Sequence, residues 1–278
     1  MHWTWRRRIA AVGALLSAGV IVWHWAGRRL PHPPLPSVPP APVRPLLGVT
    51  VVLDPGHGGA DPGAVSLYGT EAAYTYRAAV EIGAVLREQG ATVLYTVRSR
   101  ALVPSLFVSE PPLQLPTDAA LAVNGDPIRE RHSPRQLWLR AAVARRAWAA
   151  RTGPASARRV FFLSLHLDDE GSPDIHGSLV CVDRRRRAPP AFGLALAHAL
   201  ARDGLARPDS AGDGQPGLSV RRLGVLNPAY NPVPESALLE MTTLSNFDDA
   251  LRAADPQWRA QMAARIADAI LAVRQGRQ

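Results

Sequence analysis

Val51-Val52-Leu53-Asp54-Pro55-Gly56-His57-Gly58-Gly59-Ala60-Asp61-Pro62-Gly63-Ala64 is the stretch that decides how this chain reads. An apolar run with the pattern of a buried strand stops at a histidine held between glycines. Such a loop points an imidazole out of the end of a sheet and leaves backbone space around it. Working outward, Glu71 follows closely, His166 ends the apolar run Val160 to His166, and Glu240 ends Ala237-Leu238-Leu239-Glu240.

Two imidazoles and one carboxylate match a catalytic rather than a structural zinc site, because the fourth position stays open to water. The metal ligands expected are His57, Glu71 and His166. Zn2+ there lowers the pKa of water and polarises a carbonyl oxygen. Glu240 is then the expected catalytic general base, in a setting where partial desolvation raises its pKa. Each residue alone has an ordinary reading: a structural histidine, an acid in a helix's first turn, a glutamate paired with one of many arginines. Their coincidence carries the assignment. His132, His176 and His198 have no comparable context, although His176 is close enough in sequence to His166 to line the site.

The rest of the chain alternates strands with helices. Strands are expected over Leu47 to Asp54, Ala91 to Val97, Val160 to His166, Gly177 to Val182 and Ala237 to Met241. Helices are expected over Ala72 to Gln89, Leu137 to Arg151, Pro190 to Asp203 and Pro256 to Arg274. This rhythm implies an α/β fold: a three-layer domain with a mostly parallel or mixed central sheet flanked by helices. In open sheets of that kind ligands gather at the carboxyl ends of the strands, where His57 and His166 both fall. Residues 101–136 break the rhythm as a proline-rich insertion near the rim.

The N-terminus reads as a membrane segment. Ile9 to Ala26 is almost continuously apolar, follows Arg6-Arg7-Arg8, and has Trp3, Trp5, Trp23 and Trp25 at its ends. A cleavable signal peptide is the competing reading, but no small-x-small cleavage site follows. The domain organisation expected is a cytoplasmic tip and signal anchor (1–29), a proline-rich linker (30–46) containing His32, and an exported catalytic domain (47–278).

The 278 residues carry a net charge of +9, and all 32 basic residues are arginine. They are scattered without interleaved aromatics, which argues against a nucleic-acid partner. The single cysteine, Cys181, excludes an intramolecular disulfide and a cysteine-rich metal site.

These residues resemble the zinc-dependent N-acetylmuramoyl-L-alanine amidases of bacterial cell walls, the Amidase_3 type. VVLDPGHGGADPGA is similar to that family's first motif, with Glu71 at the matching offset. Thr96-Val97-Arg98 resembles its short TR with one residue inserted, Leu137 to Ala144 with Arg140 its next helix, and Ser164-Leu165-His166 the segment of its second histidine. Pro234 to Glu240, followed by Leu244-Ser245-Asn246, resembles its last motif. The resemblance spans roughly Val49 to Ala272. It implies hydrolysis of the amide between N-acetylmuramic acid and L-alanine in peptidoglycan, with His57, Glu71 and His166 on zinc and Glu240 catalytic. It also implies an enzyme of the cell envelope open to control by an activator protein; the N-terminal anchor read above ties it to the inner membrane, with the catalytic domain periplasmic or extracytoplasmic. The chain departs from the family at Leu167-Asp168-Asp169, where two carboxylates bring negative charge near the metal or meet a different stem peptide. Two other readings are a zinc peptidase or other amidohydrolase of the envelope, and a non-catalytic wall-binding protein on the same fold.

Overall fold

The computed structural model describes residues 43–277 except 67–68, 100–120, 124–125, 128, 130, 132, 152–158 and 209–214. The expected membrane segment and most of the linker lie outside the described residues. Among those described, no helix is long and apolar enough to cross a membrane.

Six strands form the central sheet: β1 (Thr50–Pro55), β4 (Thr92–Tyr95), β8 (Val160–Asp168), β9 (Leu179–Asp183), β10 (Leu218–Arg221) and β11 (Glu235–Thr243), in the order β10-β9-β11-β8-β1-β4. β4, β1, β8 and β11 run parallel; β9 lies antiparallel to β11, and β10 parallel to β9. The sheet is therefore mixed. A hairpin of β2 (Val65–Ser66) and β3 (Gly69–Thr70), and a small sheet of β5 (Val97–Ser99), β6 (Leu121–Val123) and β7 (Asp126–Pro127), stand apart from it.

Side chains alternate across the sheet, so each central strand supplies two cores. Phe161, Leu163, Leu165 and Leu239 face helices α1 (Glu71–Glu88), α3 (Ala191–Arg202), α4 (Phe247–Ala254) and α5 (Pro256–Arg274). Phe161 meets Phe192 of α3 edge to face at 5.3 Å. Val52, Phe162, Cys181 and Leu238 face α2 (Pro134–Ala149) and the segment carrying Val225, Leu226 and Val233. Burying each large side chain contributes roughly 1.5–3 kcal/mol. Both faces are covered, which is why the strands read as unbroken apolar runs.

Several elements differ from the sequence reading. The first strand starts at Thr50 rather than Leu47, because Gly48 (φ +82°) closes a turn in which the Val49 N–H donates to Leu46 O. The expected strand over Ala91 to Val97 divides at Thr96, whose N–H still donates to Leu53 O before β5 leaves for the small sheet. β10 and α4 were not anticipated. The end of the expected insertion is already helical, since α2 begins at Pro134.

Three parallel strand ends position the site. Pro55 of β1 pairs with Leu165 of β8, which sets Gly56 beside His166, and His166 pairs with Glu240 of β11.

Candidate metal centre

His57 is the only non-glycine residue with positive φ (+59°) among the described residues. That conformation costs an L-residue about 1–2 kcal/mol, so neighbours must hold it. Arg140, on α2, does so. Its Nη2 donates to His57 O at 2.6 Å, and its Nη1 to Pro55 O at 2.5 Å and to Asp54 Oδ1 at 2.7 Å. Asp54 is 1% exposed and also accepts from Ser164 Oγ at 2.6 Å and from Thr96 Oγ1. Thr75 Oγ1, on α1, donates to Gly56 O at 2.9 Å. A buried arginine–aspartate pair thus anchors the end of β1, and the same arginine's hydrogen bonds to Pro55 O and His57 O carry that hold into the loop beyond it.

Glu71 opens α1, capped by Thr70, whose Oγ1 accepts the Ala73 N–H. Its Oε1 lies 3.1 Å from His57 Nε2 and 2.9 Å from His166 Nδ1, and accepts the Leu167 N–H at 3.1 Å. Its Oε2 accepts the Ala64 N–H at 3.0 Å. Burial opposes ionisation of Glu71, but the hydrogen bonds and charges of His166 and His57 override it and hold the carboxyl well below the usual carboxylate range. For His166 burial favours the neutral ring, yet the hydrogen bond to Glu71 and the charges of Glu240 and Glu71 raise its pKa. The imidazoles stand edge to face at 5.0 Å. One donor atom from each of His57, Glu71 and His166 lies within 4.8 Å of the other two. An ionised carboxylate between two imidazoles is a donor set that fits a transition-metal dication.

The glycines around the cluster are there for space. A Cβ on Gly56 would lie 2.5 Å from the His166 ring, and one on Gly63 (φ +67°) 2.5 Å from Glu71 Oε2. Asp61 Oδ2 sits 3.2 Å from His57 Nδ1, on the side of the ring away from Glu71. A carboxylate there favours the proton on Nδ1 and leaves the Nε2 lone pair toward the cluster.

Glu240 is next to this group and differs from it. Its carboxylate makes no hydrogen bond or ion pair among the described residues, although its backbone is paired within the sheet. Burial pushes its carboxyl up to about 7; the charge of His166 opposes the shift, and those of Asp168 and Glu71 add to it. Beside the cluster opens a cleft of about 230 Å³, lined by Gly56, His57, Asp61, Gln136, Leu137 and Val225 among others.

Residues 51–272 match the N-acetylmuramoyl-L-alanine amidase family. The chain belongs to that family. The probable cell wall amidase LytH of Staphylococcus saprophyticus subsp. saprophyticus is 36% identical over 89 residues, 31% of this chain and 29% of that protein. LytH of Staphylococcus aureus is 39% identical over 85 residues, 30% of this chain and 28% of its own length. The matched stretch thus spans less than a third of these relatives. Among solved structures, the fold is similar to that of the N-acetylmuramyl-L-alanine amidase Ami1 from Mycobacterium smegmatis (TM-score 0.59, 22% identity, 84% of this chain and 99% of that one). It is also similar to the CwlD amidase from Clostridioides difficile, solved in complex with the GerS lipoprotein (TM-score 0.54, 18% identity, 81% and 98%).

In this member of the amidase family the structure brings together all four residues singled out from the sequence. It leaves out His176, which is exposed, and His198, which is exposed on α3; His32 and His132 lie outside the described residues. Asp168 does not stand as a free charge: Arg207, 5% exposed, donates to it at 2.8 Å, to Glu170 at 3.2 Å and to Thr243 Oγ1 at 3.2 Å. Asp169 is exposed. Sequence reasoning gave no role to Asp61, Asp54 or Ser164. The spacing of Asp61 four residues after His57 was a usable signal; nothing local linked Asp54 to Arg140, 86 residues away.

Proposed function

We propose that this chain hydrolyses the amide between the lactyl group of N-acetylmuramic acid and L-alanine in peptidoglycan, with Zn2+ held by His57, Glu71 and His166 and with Glu240 as general base. The single observation that carries the reading is an unpaired, half-buried carboxylate in register with a two-imidazole, one-carboxylate cluster. Family membership supplies the substrate class.

Zn2+ bound there supplies a Lewis acid for the amide carbonyl and lowers the pKa of water toward neutrality. Glu240 accepts the proton of the attacking water and, as the carbon–nitrogen bond breaks, donates it to the departing L-alanine nitrogen. A carboxyl without hydrogen-bond partners is free to make that exchange. Arg140 and Asp61 do not touch substrate in this scheme; Arg140 holds the His57 loop in place, and Asp61 sets a carboxylate against the Nδ1 side of the ring.

The organisation proposed with this activity is the N-terminal anchor (1–29), the linker (30–46) and the catalytic domain (47–278), placing the enzyme in the envelope on the outer side of the membrane. An activating envelope protein is a further expected partner. In support, the similar CwlD amidase was solved in complex with a lipoprotein.

The test is digestion of purified sacculi with zinc content measured in parallel. Glu240→Gln is expected to keep its zinc and lose about 10²–10⁴-fold in turnover, while His57→Ala and His166→Ala lose both. Free glycan with intact stem peptides supports the amidase; shortened stem peptides alone point to a peptidase. Unchanged turnover in Glu240→Gln overturns the mechanism.

A further inference from the structure

The two edges of the sheet carry opposite charge. Because β1, β4, β8 and β11 run one way and β9 and β10 the other, every connection can be assigned to the metal-site edge or to the edge across the sheet from it. The described connections that start or end at the far edge (43–49, 89–91, 150–151, 159, 184–190, 222–234, which crosses the sheet face to line the cleft at Val225, and 275–277) hold nine arginines and no acidic residue. Those at the site edge (56–66, 69–70, 169–178, 203–208, 215–217, 244–246 and 255) hold six acidic residues and one arginine, and the short α4 between the last two of them adds Asp248, Asp249 and Arg252. The partly described connection between β4 and α2 carries both signs.

Part of the basic set has structural work. Arg185 and Arg186 hold Asp183, Leu223 O and Asn231 O, and Arg151 donates to Thr50 Oγ1. Arg44, Arg159, Arg184, Arg187 and Arg222 are exposed. Helix-end electrostatics do not account for these five, since none lies in a helix. They are spread along the edge: Arg222 follows β10, Arg184 and Arg187 follow β9, Arg159 precedes β8 and Arg44 precedes β1. From β10 to β1 there are four strand spacings of about 4.8 Å, so the row is roughly 19 Å long. Among the described residues, acids at this end are few: Asp183 is buried and paired, Glu235 accepts the Phe192 N–H, and Glu88 is exposed. Among the arginines, Leu47 is 63% and Val43 85% exposed.

We infer that this edge is a docking surface for an anionic phospholipid bilayer. A row of exposed guanidinium groups matches a sheet of phosphates, and exposed Leu47 and Val43 beside it fit the interfacial region rather than a fully hydrated polymer. The chain also enters the domain at this edge, at residue 43, downstream of the apolar run Ile9 to Ala26. β8 is nine residues long, so docking there lifts the cluster at its far end about 30 Å from the headgroups and turns it toward the wall. The inference concerns the domain's outer surface and depends on neither the metal nor the reaction.

The full chain is reconstituted in phosphatidylcholine vesicles, with and without phosphatidylglycerol, carrying a fluorophore at Ala188→Cys or, on the site edge, at Val65→Cys. Cys181 is buried and stays unlabelled. Spin-labelled headgroups are expected to quench the Ala188→Cys label severalfold more when phosphatidylglycerol is present. The effect should vanish near 1 M salt, where the screening length is about 3 Å. Arg184→Gln/Arg187→Gln/Arg222→Gln, with its fold checked by circular dichroism and melting, should return quenching to the neutral-lipid level. Equal quenching in both lipids, quenching of the Val65→Cys label instead, or no effect of the triple substitution overturns the inference. So does loss of the Ala188→Cys quenching on adding a soluble anionic wall polymer at equal charge, which would make that polymer the occupant.

Discussion

Glu240 sits half-buried beside the His166 imidazole, its carboxylate without a hydrogen-bond partner among the described residues, and burial lifts that carboxyl from 4.5 to about 7. Between those values the native protein keeps a proton that the unfolded chain has released. The associated stability is therefore complete below pH 4.5 and is lost as pH rises toward 7, by roughly 3 kcal/mol at about 1.4 kcal/mol per unit. Glutamine has the same shape and no charge to desolvate. Metal-free Glu240→Gln is expected to unfold at higher denaturant than the metal-free parent above pH 7, with the gap closing below pH 4.5. Equal midpoints at both ends of that range would mean that the carboxylate is well solvated and poorly suited to proton transfer. A bound dication favours the ionised carboxylate, so adding zinc should shrink the gap. Glu71 has the opposite sign. Its lowered pKa stabilises the fold above 4.5, and that contribution is lost as acid protonates it.

At the level of elements, the site depends on α2 clasping the end of β1. Arg140 reaches the Asp54 carboxylate and the carbonyls of both Pro55 and His57, a span that needs a planar fork of donors. Lysine keeps the charge and loses the fork. Arg140→Lys is expected to fold, to free the His57 loop and to bind zinc about 10–100-fold more weakly, read by competition with a chelating dye. Unchanged affinity would mean that the left-handed turn at His57 sustains itself. Arg140→Ala strands the buried Asp54 charge and should cost about 3–5 kcal/mol in an unfolding titration. The strands that carry His57, His166 and Glu240 were legible because each is buried on both faces and written as an unbroken apolar run. β10 is short and only partly buried, and the eight-residue α4 holds few helical turns, so periodicity had little to register. The antiparallel turn of β9 follows from pairing with β11, which no local pattern encodes. The Arg140 clasp was hidden for the same reason: its partners are adjacent only after folding.

Across the whole molecule, the three donors come from the end of β1, the start of α1 and the end of β8, so the cluster exists only when the core between them is assembled. Metal binding is then linked to global folding rather than to a local loop. A ligand that binds only the native state adds about 2.7 kcal/mol at one hundred times its dissociation constant. Zinc is expected to raise the unfolding midpoint of the metal-free protein by that order, and a chelator to reverse the rise. Two substitutions separate the linkage from general stability. His166→Ala removes a donor from the site edge and should abolish the zinc increment. Arg207→Ala leaves the buried side of Asp168 without its cation but touches none of the three donors. It should lower the midpoint with and without zinc and leave the increment in place. If the increment survives in His166→Ala, the cation is bound elsewhere, and the cluster of His57, Glu71 and His166 is an ion-paired core rather than a metal centre.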